Sequence, residues 1–164
     1  MKVIISILIL GTMTLRLNAQ EYIGAFIKYF NDCVNIYNSP EGRDVKLKVF
    51  QDTLNETNYY GLNILENSPY RFKVRIRAYE YVEPIEGWID KDCVAVYSRE
   101  RDGVIYLYTN CTEDSDFLII RQAPEILTVI DYHELWRKVM FTIDGVLHIG
   151  WTKNFCPIIY NSCT

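Results

Sequence analysis

Two stretches of this chain repeat each other at a fixed distance. Gly87-Trp88, Cys93 and Tyr97 recur as Gly150-Trp151, Cys156 and Tyr160, each pair 63 residues apart. Tryptophan and cysteine are rare, so four landmarks coinciding at one spacing point to a duplicated unit. The starts of the copies correspond more loosely. Val34-Asn35-Ile36-Tyr37-Asn38-Ser39 resembles Ile105-Tyr106-Leu107-Tyr108-Thr109-Asn110, and there Tyr37 and Tyr108 stand 71 apart. The fall from 71 to 63 puts about eight extra residues in the middle of the first copy. The segment Asn55 to Asn63 reads as the loop that holds them.

Each copy carries strand signals. Tyr70, Phe72, Val74, Ile76 and Ala78 alternate with Arg71, Lys73, Arg75 and Arg77, the period of a half-buried strand. Val45, Leu47 and Val49 alternate with Lys46 and Lys48, and Ile126 to Ile130 makes another short strand. Val139 to Ile143 and Val146 to Ile149 flank Asp144-Gly145, a two-residue hairpin signal in which both central positions take positive φ. Thirteen tyrosines, frequent β-branched residues and scarce alanine agree with an all-β chain.

The first nineteen of the 164 residues read as an export signal: Met1 and Lys2, an apolar run from Val3 to Leu15, and a small residue at Ala19 before cleavage. The run is too short for a membrane span, which needs roughly twenty residues. Losing Lys2 and Arg16 takes the net charge from −4 to −6, which excludes a basic nucleic-acid binder. All five cysteines (Cys33, Cys93, Cys111, Cys156 and Cys163) follow the signal. In an oxidising compartment disulfides are expected, and the odd count leaves one thiol over. No C-x-x-C pair, phosphate loop, His-Glu-x-x-His motif or nucleophile elbow is present, so no metal and no cofactor is expected.

Short strands, units of about sixty residues and a late Gly-Trp in each copy together resemble bacterial SH3 domains. The first copy offers Asn35-Ile36-Tyr37-Asn38-Ser39-Pro40 for the turn after the opening strand. The second offers Trp136-Arg137-Lys138-Val139 and Gly150-Trp151. Phe72 and its neighbours stand in for the tryptophan in the first copy, and Cys111 for the proline in the second. The resemblance implies two tandem SH3-like β-barrels, at 20–100 and 101–164, joined by a polar linker near Ser98 to Gly103. It implies that Cys111, ending an opening strand, bridges to Cys156, starting the closing strand beside it. Cys33 and Cys163 would make a second bridge between the chain ends, leaving Cys93 a buried thiol. It also implies a periplasmic or secreted protein that binds cell-wall peptide or glycan.

Only His133 and His148 could activate a cysteine nucleophile such as Cys111 or Cys156, and little chain is left over for a catalytic domain, so no enzyme is expected. Tyr59 and Tyr60 in the insertion, and Tyr132, His133 and Trp136 between predicted strands, are the candidates for ligand recognition. They either contact a ligand or fold onto the core. Arg71, Lys73, Arg75 and Arg77 either hold an anionic partner or form a solvated face balanced by Glu80, Glu83 and Glu86. Trp88 and Trp151 read as packing residues. A second function fits as well: an immunity or inhibitor-type protein, whose acidic surface steers it to a basic protein partner.

Overall fold

The structure, a computed structural model, describes residues 24–28, 33–50, 61–76, 84–98 and 104–156. The predicted signal, the linker at 99–103, and Tyr59, Tyr60, Arg77, Glu80, Glu83 and Cys163 lie outside them. Six strands open the described chain: β1 (Gly24–Ile27), β2 (Cys33–Tyr37), β3 (Val45–Phe50), β4 (Gly61–Asn67), β5 (Arg71–Ile76) and β6 (Ile85–Asp90). A 3-10 turn at Lys91–Cys93 leads into β7 (Val94–Ser98). Six more follow: β8 (Ile105–Tyr108), β9 (Phe117–Ile120), β10 (Ile126–His133), β11 (Trp136–Ile143), β12 (Val146–Thr152) and β13 (Phe155–Cys156).

The chain is all-β, as its composition implies, and its strands form one antiparallel sheet. The hydrogen-bonded path runs β3-β2-β6-β5-β4-β1-β7-β10-β11-β12-β8-β9 without closing on itself, and β13 branches from β7. The pairings repeat. Raising each strand number by six turns β1·β4, β1·β7, β2·β3, β2·β6, β4·β5 and β5·β6 into β7·β10, β7·β13, β8·β9, β8·β12, β10·β11 and β11·β12. All observed pairings are accounted for, and β7 serves twice, as last strand of one repeat and first of the next.

Register locates the insertions. Tyr37 faces Trp88 on β6, and Tyr108 faces Trp151 on β12, at the sequence offsets of 71 and 63. Between these, Ile64 faces Val74 as Val129 faces Val139, an offset of 65, and each pair is followed by a bulge. Six of the extra residues therefore lie between β3 and β4, and two in the β5–β6 connection. Gly61, Leu62 and Asn63 belong to β4 rather than to the predicted loop. At the next strand the offset falls again. Phe26 faces Ala95 where Tyr97 faces Cys156, so Ala95 rather than Cys93 is the counterpart of Cys156. The cysteine coincidence in the sequence does not mark equivalent places, because the 3-10 turn adds two residues in the first repeat.

β1 and β7 are buried on both faces. Ile27, Val94 and Val96 enter a large cluster that also takes Ile36, Phe72 and Ile89 from the first repeat and Leu107, Leu127 and Val139 from the second. Phe26, Ala95, Tyr97 and Cys156 form a small cluster on the other side, where the Phe26 and Tyr97 rings stack at 4.3 Å. The Asp144-Gly145 hairpin forms as the sequence predicts, with φ of 50° and 79°.

The two repeated glycines have a steric reason. A Cβ on Gly150 would meet Leu107 Cβ at 2.9 Å and Tyr108 O at 3.2 Å, and one on Gly87 would meet Ile36 Cγ2 at 2.3 Å and Tyr37 O at 3.1 Å. Each glycine lets the first hairpin of its repeat cross closely over the later strand. Gly150→Ala meets backbone and Cβ, which cannot swing aside, and should cost about 1–3 kcal/mol in urea unfolding. Gly61→Ala, where a Cβ meets nothing within 4 Å, should leave the midpoint nearly unchanged.

Candidate functional site

The second repeat presents a strip of aromatic rings. On β8, Ile105 and Leu107 point into the core, which sends Tyr106 and Tyr108 to the outer face. The antiparallel register sets Phe117 of β9 opposite Tyr108, and its ring lies 5.7 Å from Tyr106 and 5.2 Å from Tyr108. Trp136, at the start of β11, meets Tyr108 edge-on at 5.1 Å, and the Lys153 ammonium sits 5.7 Å from the indole. Trp136 is only 8% exposed, yet it forms one wall of an open hollow of about 400 Å³. Cys111, Asp114, Glu134, Leu135 and Lys153 line the rest. Lys153 is paired with Glu113. Rigid rings beside an open hollow give contact area at little entropic cost.

The same places in the first repeat are closed. The offset of 65 puts Arg71 where Trp136 stands and Phe72 where Arg137 stands, so Arg71 replaces the tryptophan, not Phe72. Its guanidinium lies 3.5 Å over the Tyr37 ring. Arg71 Nε donates to Asp90 at 2.7 Å, and Nη1 donates to the carbonyls of Gly42 at 2.6 Å and Ser39 at 3.1 Å. The Tyr37 hydroxyl donates to Asp90 as well, at 3.3 Å. A cation, a ring and two loop carbonyls lock this hairpin tip down.

The other described members of the basic row, Lys73 and Arg75, are also internally paired. Lys73 bonds Glu66 on β4, and Arg75 Nε donates to Glu86 on β6 at 2.7 Å. Arg75 faces Glu86 in register, the cross-strand balance that the sequence suggests.

Tyr132 and His133 are not in a loop, because β10 runs on to His133 and the turn is Glu134-Leu135. Tyr132 packs toward Phe72 of the first repeat at 6.0 Å. Beside it, Asn67 Nδ2 donates to Asp131 at 2.6 Å, joining the repeats again. Burial, with Asp131 nearby, pushes the Tyr132 hydroxyl pKa up. Tyr132 is thus a contact between the halves, and His133 is an exposed strand end opposite Trp136. The sequence reading missed Tyr106 and Tyr108, whose signal was the alternation in Ile105-Tyr106-Leu107-Tyr108, and Phe117, which stands in an apolar run without one.

Cys33, Cys93 and Cys111 are free thiols, so neither the Cys111–Cys156 nor the Cys33–Cys163 bridge is formed. The reason is topological. The strand beside β13 is β7, with Cys156 opposite Tyr97, while Cys111 lies past the end of β8 in a hairpin tip. No hydrogen bond joins Cys111 to His133, and His148 stacks on Phe141 at 5.5 Å. Among the described residues no group of histidine, cysteine and carboxylate side chains is placed to hold a metal, and no helix is long and apolar enough to cross a membrane.

No protein-family model matches the chain, and no curated protein matches it. Two solved structures are weakly similar, NlpC2 and NlpC1 from Trichomonas vaginalis, each at 16% identity and a TM-score of 0.31. The similarity covers 82% and 85% of this chain, which spans about half the length of each of those proteins (47% and 46%). At that level the likeness carries no argument about fold or activity.

Three outcomes follow from this geometry. Arg71→Ala removes a part-buried cation from Asp90, two carbonyls and a ring, and should lower stability by about 2 kcal/mol in urea unfolding. Burial, reinforced by Asp92, pushes the Cys93 thiol up to about 12 from 9.0. A thiol raised in the folded state stabilises the fold fully below pH 9.0, and that contribution is lost as the pH climbs toward 12. Cys93→Ala should therefore flatten the loss of stability above pH 9.0. Iodoacetamide should alkylate Cys111 well before Cys93 in the folded chain, read by mass spectrometry.

Proposed function

We propose that this is a non-catalytic, exported binding protein, made of two SH3-like modules in tandem, whose second module holds cell-wall peptide or glycan. Support for the modules comes from the repeated pairing set: a first strand, a long hairpin crossing a glycine, a three-strand meander and a closing strand. The binding reading rests on one observation, the outward strip of Tyr106, Phe117, Tyr108 and Trp136 leading to the hollow beside Lys153. The first module keeps the same backbone pattern but ties Tyr37 down with Arg71 and serves as support. A second reading, an immunity or inhibitor-type protein bound to a basic partner, is favoured by the carboxylates of Asp114 and Glu134 at the hollow.

Co-sedimentation of residues 20–164 with purified peptidoglycan sacculi tests the first reading. Saturable pelleting at micromolar protein is expected, with affinity falling at least about tenfold in Trp136→Ala. Because Trp136 is largely buried, Tyr106→Ala serves beside it as a variant on the outer face, and it should weaken pelleting while leaving the unfolding midpoint nearly unchanged. Absence of pelleting, or pelleting indifferent to both variants, would rule out the strip as a wall-binding site.

A further inference from the structure

β9 is an edge strand, bonded to β8 alone among the described strands. An unpaired edge offers a row of free N–H and C=O groups, and proteins protect such edges with charge, chiefly lysine. The counterpart edge, β3, follows that rule with Lys46 and Lys48. β9 does not. Val34 faces Val49 as Ile105 faces Ile120, so Ile119 stands where β3 has Lys48. Leu118 and Ile119 are 64% and 51% exposed, and Phe117 is exposed beside them. The repeats thus share an edge and differ in its protection.

Charge indicates the occupant. Asp114 and Asp116 precede β9, and Asp114 and Glu134 both line the hollow. Among the described residues none of the three pairs with a cation, while Lys153 is held by Glu113. The whole chain carries −4, so a second copy would bring like charge to this edge. We propose that β9 takes up an extended, basic segment of a partner protein as an added strand. Alternation sets its pattern: apolar side chains over Leu118 on one face, and lysine or arginine on the other, over Phe117 and toward Asp114 and Glu134. This surface adjoins the rings around Trp136 and shares Phe117, Asp114 and Glu134 with them, but it is centred on the backbone edge of β9, and its occupant is a protein rather than the wall.

Fluorescence polarisation with the full chain tests the proposal, using a short labelled peptide that alternates lysine and valine and a control that alternates glutamate and valine. The lysine peptide should bind in the micromolar range, weaken several-fold in about 0.5 M salt, and exceed the glutamate peptide at least about tenfold. Ile119→Lys, which copies the β3 protection, should abolish binding at least about tenfold with an unchanged unfolding midpoint, since Ile119 is half in solvent. Asp114→Asn with Glu134→Gln should weaken the lysine peptide and bring it closer to the glutamate one. Lack of binding by the lysine peptide, equal binding by the glutamate peptide, or indifference to Ile119→Lys would overturn the proposal. A dimer in sedimentation that Ile119→Lys dissolves would overturn it too, by assigning the edge to a second copy. A failure of sacculus binding leaves the peptide result standing, because the peptide reads β9 and not the wall.

Discussion

The structure depends on the hydrogen-bonding of β7. Its start, Val94-Ala95, pairs with β1, its end, Tyr97-Ser98, pairs with β13, and Ala95 to Tyr97 pair with β10. Each repeat needs a strand that bonds its fourth and seventh members, and in the second repeat β7 is that strand. A strand shared this way is covered on both faces. Alternate residues feed the large cluster through Val94 and Val96 and the small one through Ala95 and Tyr97. The halves therefore share backbone bonds and a core, and Asn67, Phe72, Asp131 and Tyr132 add a polar and aromatic seam between them.

On this frame the repeats have diverged at the tip of the first hairpin as well as at its edge strand. Where the hairpin tip meets the start of the middle meander strand, the first repeat has Arg71 stacked on Tyr37 and bonded to loop carbonyls, which fills the space. The second has Trp136 against Tyr108, which extends the aromatic surface and leaves a hollow beside it. The exchange is one of chemistry at a fixed register position. It leaves Arg71 and Tyr37 tied to Asp90 in the first repeat, while the second presents rings and carboxylates beside the hollow.

What the sequence made legible were features with local physical causes. Gly87 and Gly150 repeat because a Cβ cannot fit at the crossing, and Asp144-Gly145 turns because both residues accept positive φ. The alternation from Phe72 to Ile76 shows because β5 is buried on one face. β1 and β9 did not show, since four apolar residues without alternation have no period to read. Nor did the sharing of β7. Treating each copy as owning its strands made β8 an opening strand, and that produced the Cys111–Cys156 bridge that the free Cys111 thiol contradicts. Tyr132, His133 and Trp136 were found as residues but misplaced as a loop. A half-buried contact, a strand end and a groove wall share a short sequence, and only register separates their roles.

The most direct measurement of the shared strand is amide hydrogen exchange in increasing urea, followed strand by strand. A sheet held through β7 predicts that amides of β4, β5, β10 and β11 converge on one opening free energy, with Val94 to Tyr97 among the slowest. Exchange in which β10 to β12 open at clearly lower urea, while β4 to β6 stay protected, would contradict it and make the repeats independent units.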